Sequence, residues 1–148
     1  MQLPEYITAA EVKRVCNEIG LRDWSKITEP SISGEEASTI LKVVNTKGMN
    51  IPVEIFQKGL EVELEHGTRF EDANVTNNHP ILTGMIVIAH LKETMDYYER
   101  IDVAEIEGDL LKAILSRNIA KIESKYKELI MAKNLLNQSI ADQLKERI

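Results

Sequence analysis

From Ile106 to Leu144, apolar residues recur every three or four positions, and this pattern does most to limit what the chain can fold into. Ile106, Leu110, Ile114 and Leu115 lead to Ile119, Ile122, Tyr126, Leu129, Leu136, Ile140 and Leu144, with no proline and only Gly108 as a weak point. Steps of three and four place these side chains on one stripe of an α-helix, whereas a strand would need alternation. An unbroken helix of about 40 residues would run about 60 Å. Its far half would then have no partner within its own monomer. The expectation is a long amphipathic helix over 102–148 that docks on a partner protein or on a second copy. Ile119, Ile122, Tyr126, Leu129, Leu136 and Ile140 would form its interacting seam. The alternative is a break near Ser116 to Asn118, with the chain folding back. Near Leu136 the stripe slips to steps of four and Lys133 interrupts it, which would locally unwind a supercoil.

The preceding residues, 1–101, also read as helices and make up the compact domain. Thr8 with Glu11 three residues on is a start signal, and Gly20 is a stop signal. Val12, Val15, Cys16 and Ile19 keep helical spacing between them. Ser33 with Glu36 opens a second helix that ends before Gly48, and Pro52 opens a third. Trp24 anchors the connector between the first two helices to the core. A 13-residue loop over Gly67 to His79 follows the third helix, and Pro80 in a first turn makes Asn78 or His79 the cap of the next.

Composition supports an all-α fold. Seven glycines, four prolines and few aromatics in 148 residues do not suit a turn-rich β architecture. A formal charge of −6 argues against a nucleic-acid partner, which calls for a basic surface. The single cysteine, Cys16, cannot form an intramolecular disulfide, and it fits a reducing compartment as a small apolar residue. No apolar run reaches the roughly 18 residues of a membrane span, and no leader-like segment stands at the amino terminus. The expected location is the cytoplasm, or a particle assembled inside the cell.

The chemistry-bearing residues gather between Gly59 and Arg100, which hold all three histidines. On a helical wheel of 53–66, Glu54, Gln57, Lys58, Glu61 and Glu65 form a polar strip. Glu63 and His66 fall on the opposite, apolar arc, with Gly59 between them one turn earlier. On a second helix read over 80–101, Lys92, Asp96, Glu99 and Arg100 mark the wet side. His90 falls on the dry side with Tyr97 beside it, and Glu93 lies at the edge. Two readings fit. A hydrogen-bonded network of Glu63, His66, His90 and Tyr97 would fix one packing arrangement. Alternatively Glu63, His66, His90 and Glu93, paired three apart on two helices, would hold iron, zinc or manganese. An enzyme using Glu63 or His90 as general base is the remaining alternative, with no nucleophile elbow, phosphate loop or Cys–His pair beside it.

GLEVELEHG, then NVT with a following Pro-Ile-Leu-Thr-Gly, then AHLKETMDYYERI resembles a family of small bacterial and phage domains of unknown function. The resemblance covers Phe56 to Ile101, and Asp23-Trp24-Ser25 belongs with it. It rests on Glu63, Glu65, His66, Gly67, Val75, Thr76, Gly84, His90, Leu91, Glu93, Asp96, Tyr97 and Tyr98. The chain departs from that pattern at Asn78-His79, where acidic residues are usual, and at Met95, where proline is usual. The helix over Ser33 to Gly48 and the terminal helix read as additions to it. The resemblance implies no activity. With the terminal helix, it leads to the expectation of a non-enzymatic structural or adaptor protein, assembled into a larger complex such as a phage particle and needing no cofactor.

Overall fold

The computed structural model describes residues 6–145. Among these it contains six α-helices, two short 3-10 turns and no strand. The helices are α1 (Ala9–Ile19), α2 (Gly34–Val44), α3 (Val53–Arg69), α4 (Pro80–Glu93), α5 (Tyr97–Leu115) and α6 (Ile119–Lys145). The chain divides into two compact units, Met1–Lys92 and Glu93–Ile148. The all-α expectation and the long C-terminal amphipathic helix hold, the latter as α6; a single helix over 80–101 does not, and the stripe from Asp102 follows the alternative course, breaking at Ser116 to Asn118. Each of those segments is two helices.

In the first unit the local signals act as the sequence leads one to expect. The Thr8 hydroxyl accepts the Glu11 amide proton at 3.1 Å, and Gly20 closes α1 in the left-handed conformation (φ 74°). Ser33 and Glu36 form a complete capping box at the start of α2. The Glu36 carboxylate also accepts from the Trp24 indole at 3.1 Å and pairs with Arg22. Trp24 and Cys16 are both fully buried, and burial pushes the Cys16 thiol pKa upward, so the sulfur behaves as an apolar residue.

Phe56, Leu60 and Leu64 supply the buried stripe of α3, each worth about 1.5–3 kcal/mol when fully removed from water. The polar strip has a structural use as well. Gln57 Nε2 donates to the Ile32 carbonyl at 2.6 Å and Glu61 accepts the Ile32 amide at 3.0 Å, so one turn of α3 holds both sides of that connector residue. Helix α4 comes close to α2 and α3 at Gly84, where a Cβ would lie 2.7 Å from Ile40 Cγ2 and 3.3 Å from Phe56 Cζ.

The second unit is a helical hairpin. Helix α5 starts after Asp96, which is 1% exposed and was expected on the wet side. Its carboxylate accepts from the Thr94 hydroxyl and from Arg100 Nε and Nη2, at 2.9 and 2.8 Å. The Arg100 guanidinium holds the carboxyl below its usual range. Three donor groups on two side chains satisfy a buried charge that the wheel placed in solvent, and the helix start they secure breaks the expected 80–101 helix.

Helix α5 ends in a Schellman motif. The Asn118 amide donates to the Ala113 carbonyl and the Arg117 amide to Ile114, both at 3.0 Å, with Arg117 left-handed at φ 53°. Asn118 then caps α6, its side chain accepting the Lys121 amide at 3.1 Å. The chain folds back, so the far half of the stripe has its partner within the chain. Leu129 and Ala132 are buried, and Ile122, Leu136 and Ile140 are half-buried. Ion pairs from Lys125 to Asp109 (3.5 Å) and from Lys133 to Glu107 (2.8 Å) link the two helices.

The turn contains a non-glycine residue in a conformation that disfavours a Cβ. Replacing Arg117 with glycine is expected to stabilise the chain by up to about 1 kcal/mol. Asn118→Ala is expected to cost about 1 kcal/mol. Urea unfolding measures both, and equal signs for the two variants would contradict this turn geometry.

Candidate functional site

The polar residues of the first unit are organised by the end of α3, which runs one turn past the expected His66 boundary to Arg69. Gly67 therefore lies inside the helix, on its buried side. A Cβ there would clash with Asn78 Oδ1 and approach Asn74 Nδ2 to 2.9 Å. The loop uses this space. Asn74 Nδ2 donates to the Gly67 carbonyl at 3.2 Å and to Asn78 Oδ1 at 2.9 Å. A carbonyl only accepts, so this contact fixes which end of the Asn74 amide faces the helix. Asn74 Oδ1 receives two longer bonds, from Thr76 Oγ1 and the Asn78 amide, each at 3.4 Å.

Asn77 and Asn78 both take left-handed backbone (φ 48° and 57°), a region asparagine tolerates better than other side chains. The Asn77 side chain donates to the Ile7 carbonyl at 2.9 Å, tying the loop to the start of the chain. The turn leads to His79, which is buried. Its Nδ1 accepts the amide protons of Ile81 (3.2 Å) and Leu82 (3.4 Å), so an imidazole caps α4 ahead of Pro80. Burial pushes the His79 pKa down, partly opposed by Glu11.

Helix α4, started in this way, brings His90 to α3. His90 Nδ1 lies 3.0 Å from Glu63 Oε1, with both side chains largely shielded. A carboxylate on Nδ1 sets the orientation of the ring and links the two helices. Of the expected residues in the first unit, Glu63 and His90 are in contact. His66 is exposed, contrary to its placement in a buried network, and Glu93 is exposed at the end of α4. The buried residues of α3 are Phe56, Gly59, Leu60, Leu64 and Gly67, so Glu63 falls within their arc and His66 lies at its edge. Tyr97 belongs to the second unit, where it packs edge-on against Tyr98 with ring centroids 5.3 Å apart. Among the described residues, no three His, Cys, Asp or Glu side chains are grouped so as to hold a metal ion. The expected four-ligand set is therefore not assembled.

Sequence reasoning missed Asn74, Asn78 and Gly67 as a unit. The signal was available: a loop rich in asparagine facing a glycine at i, i+7 from the leucine stripe.

A family model described only as "Protein of unknown function (DUF5661)" matches residues 12–107. The match takes in α2, which read as an addition, and leaves α6 outside. No curated protein and no solved structure matches the chain.

The His79 cap carries a pH signature. The ring must keep Nδ1 unprotonated to accept, and its folded pKa lies below the ordinary value of about 6.5. The unfolded chain therefore takes up the proton first as pH falls. The cap's contribution is complete above about pH 6.5 and is lost as pH drops through the lowered folded value. His79→Asn, which caps without titrating, is expected to flatten the stability profile between about pH 7 and pH 5. His79→Ala is expected to cost about 1 kcal/mol at neutral pH. Thermal unfolding across that range measures both, and an unchanged slope in His79→Asn would contradict the assignment.

Proposed function

The chain belongs to this family of unknown function, and from that premise we propose that it is a structural or adaptor protein whose helical hairpin self-associates. The supporting observation is where the exposed apolar side chains lie. Of the large hydrophobic residues that remain exposed, five are in the first unit: Tyr6, Val43, Phe70, Val75 and Met85. Nine are in the smaller second unit: Leu111, Ile114, Leu115, Ile119, Tyr126, Ile130, Met131, Leu135 and Leu144. Single exposed hydrophobics are ordinary, whereas a concentration of them marks an interaction surface.

Four of the six on α6 share one stripe, while Met131 and Leu135 lie on other sides of the helix. Ile119, Tyr126, Ile130 and Leu144 fall within about 40° of one another at 100° per residue. Leu129, Ile122, Leu136 and Ile140, which make up the side turned to α5, lie about 80° around the helix from them. The expected seam therefore divides: four of its residues close the hairpin, and Ile119 and Tyr126 begin a second apolar stripe. Two helices can bury only their facing sides, and a hairpin with a further apolar stripe gains most by pairing with another. A second copy is the simplest occupant, since like surfaces pair about a two-fold axis and four helices close a core. That α6 lies outside the family match fits a partner surface particular to this member.

Light scattering on the full chain tests this. The expected result is a dimer that the double substitution Tyr126→Glu, Ile130→Glu converts to a monomer of unchanged helix content. A wild-type chain that is monomeric at tens of micromolar, where a standard interface would hold, overturns the proposal.

A further inference from the structure

The first unit contains a cavity of ≈ 90 Å³ between the end of α3, the asparagine loop and α4. Glu63, Asn74, Thr76 and Thr83 contribute its polar lining, with Ile86 as an apolar wall and His66 beside them. Thr83 is 2% exposed and its hydroxyl is buried with no hydrogen-bond partner. Leaving a buried hydroxyl unsatisfied is unfavourable, and such a group commonly marks where a water or ligand belongs. Methyl and hydroxyl of a threonine are near-isosteric, so a turn about χ1 presents either to the cavity.

We propose that this cavity binds the head group of a small organic ammonium. Apart from His66, whose imidazole can also donate, the remaining polar side chains are on their acceptor side. Both Asn74 amide protons are engaged, by the Gly67 carbonyl and Asn78 Oδ1, so that residue offers only its oxygen, which holds just the two 3.4 Å contacts. The Thr76 hydroxyl directs its proton to Asn74, leaving lone pairs. Glu63 brings a carboxylate, with Oε1 already held by His90, and its presence disfavours an anion. A guest with several donors and a positive charge complements that lining, and Thr83 gains a partner. The volume sets the size. At about 30 Å³ per water it holds about three waters, enough for an ammonium with a short alkyl group and too small for a sugar or nucleotide. Ile86 provides an apolar surface for the alkyl carbons. The site lies wholly in the first unit and does not depend on hairpin assembly.

The experiment is an NMR titration of the isotopically labelled full chain with ethylammonium chloride, set against sodium acetate and ethanol. Saturable shifts at the Gly67, Asn74 and Thr83 amides with ethylammonium alone support the proposal. Thr83→Val, which keeps the shape and removes the hydroxyl, should weaken binding about tenfold. Glu63→Gln should weaken it at least as much, and this second variant decides the matter if Thr83→Val disturbs the fold. No saturation with ethylammonium, equal shifts with acetate, or affinity unchanged in both variants overturns it.

Discussion

The first unit depends on a side chain that is absent. Gly67 exposes the backbone of α3, and two asparagines close over it through a carbonyl no ordinary residue would leave reachable. The later steps of this unit follow along the chain. The clasp sets the left-handed turn at Asn77 and Asn78, and that turn delivers His79 to the start of α4. The start of α4 fixes the register at which Gly84 meets α2 and α3 and at which His90 reaches Glu63. A loop of this length would otherwise be costly to order, and its side chains supply the bonds that secondary structure supplies elsewhere.

Helix ends were the most legible part of the sequence, because caps are local chemistry. Thr8, Ser33, Glu36 and Gly20 act over three or four residues, and each performs the role its type suggests. Trp24 was legible for a different reason, since a large apolar ring in a connector has few places to go but inward. Breaks made without proline or glycine were less legible, although the one at Ser116 to Asn118 stood as an alternative. The turn at Ser116 to Asn118 uses Arg117 in a left-handed conformation, which the hydrophobic period runs straight through. The break before Tyr97 depends on Asp96, whose burial is stabilised by Thr94 and Arg100. A wheel assigns such a residue to solvent because it sees charge and not the donors that accompany it.

The central polar residues show the same limit. A wheel gives the phase of His66 and Glu63 correctly relative to each other, yet it cannot say where the neighbouring helix stops covering that flank. Glu63 meets His90, while His66, one turn on, is exposed. What remains is a half-buried carboxylate–imidazole pair and an acceptor-lined cavity beside it, on a frame of interlocked asparagines. The second unit has a different character, a hairpin closed by Leu129 and Ala132 with apolar side chains left over on its outer sides. One unit is built around hydrogen bonds, the other around apolar surface.

Substitution of Gly67 by alanine tests the organising role of that clasp most directly, because two effects of opposite sign compete there. In an ordinary helix interior the change would stabilise the protein by up to about 1 kcal/mol through helix propensity. If Asn74 and Asn78 close on the bare backbone, the added methyl must displace them, and the chain should lose about 1–3 kcal/mol in urea unfolding. The same variant should lose hydrogen-exchange protection at the Asn78, His79 and Thr83 amides. A Gly67→Ala protein as stable as the parent or more so, with those amides still protected, would contradict the account.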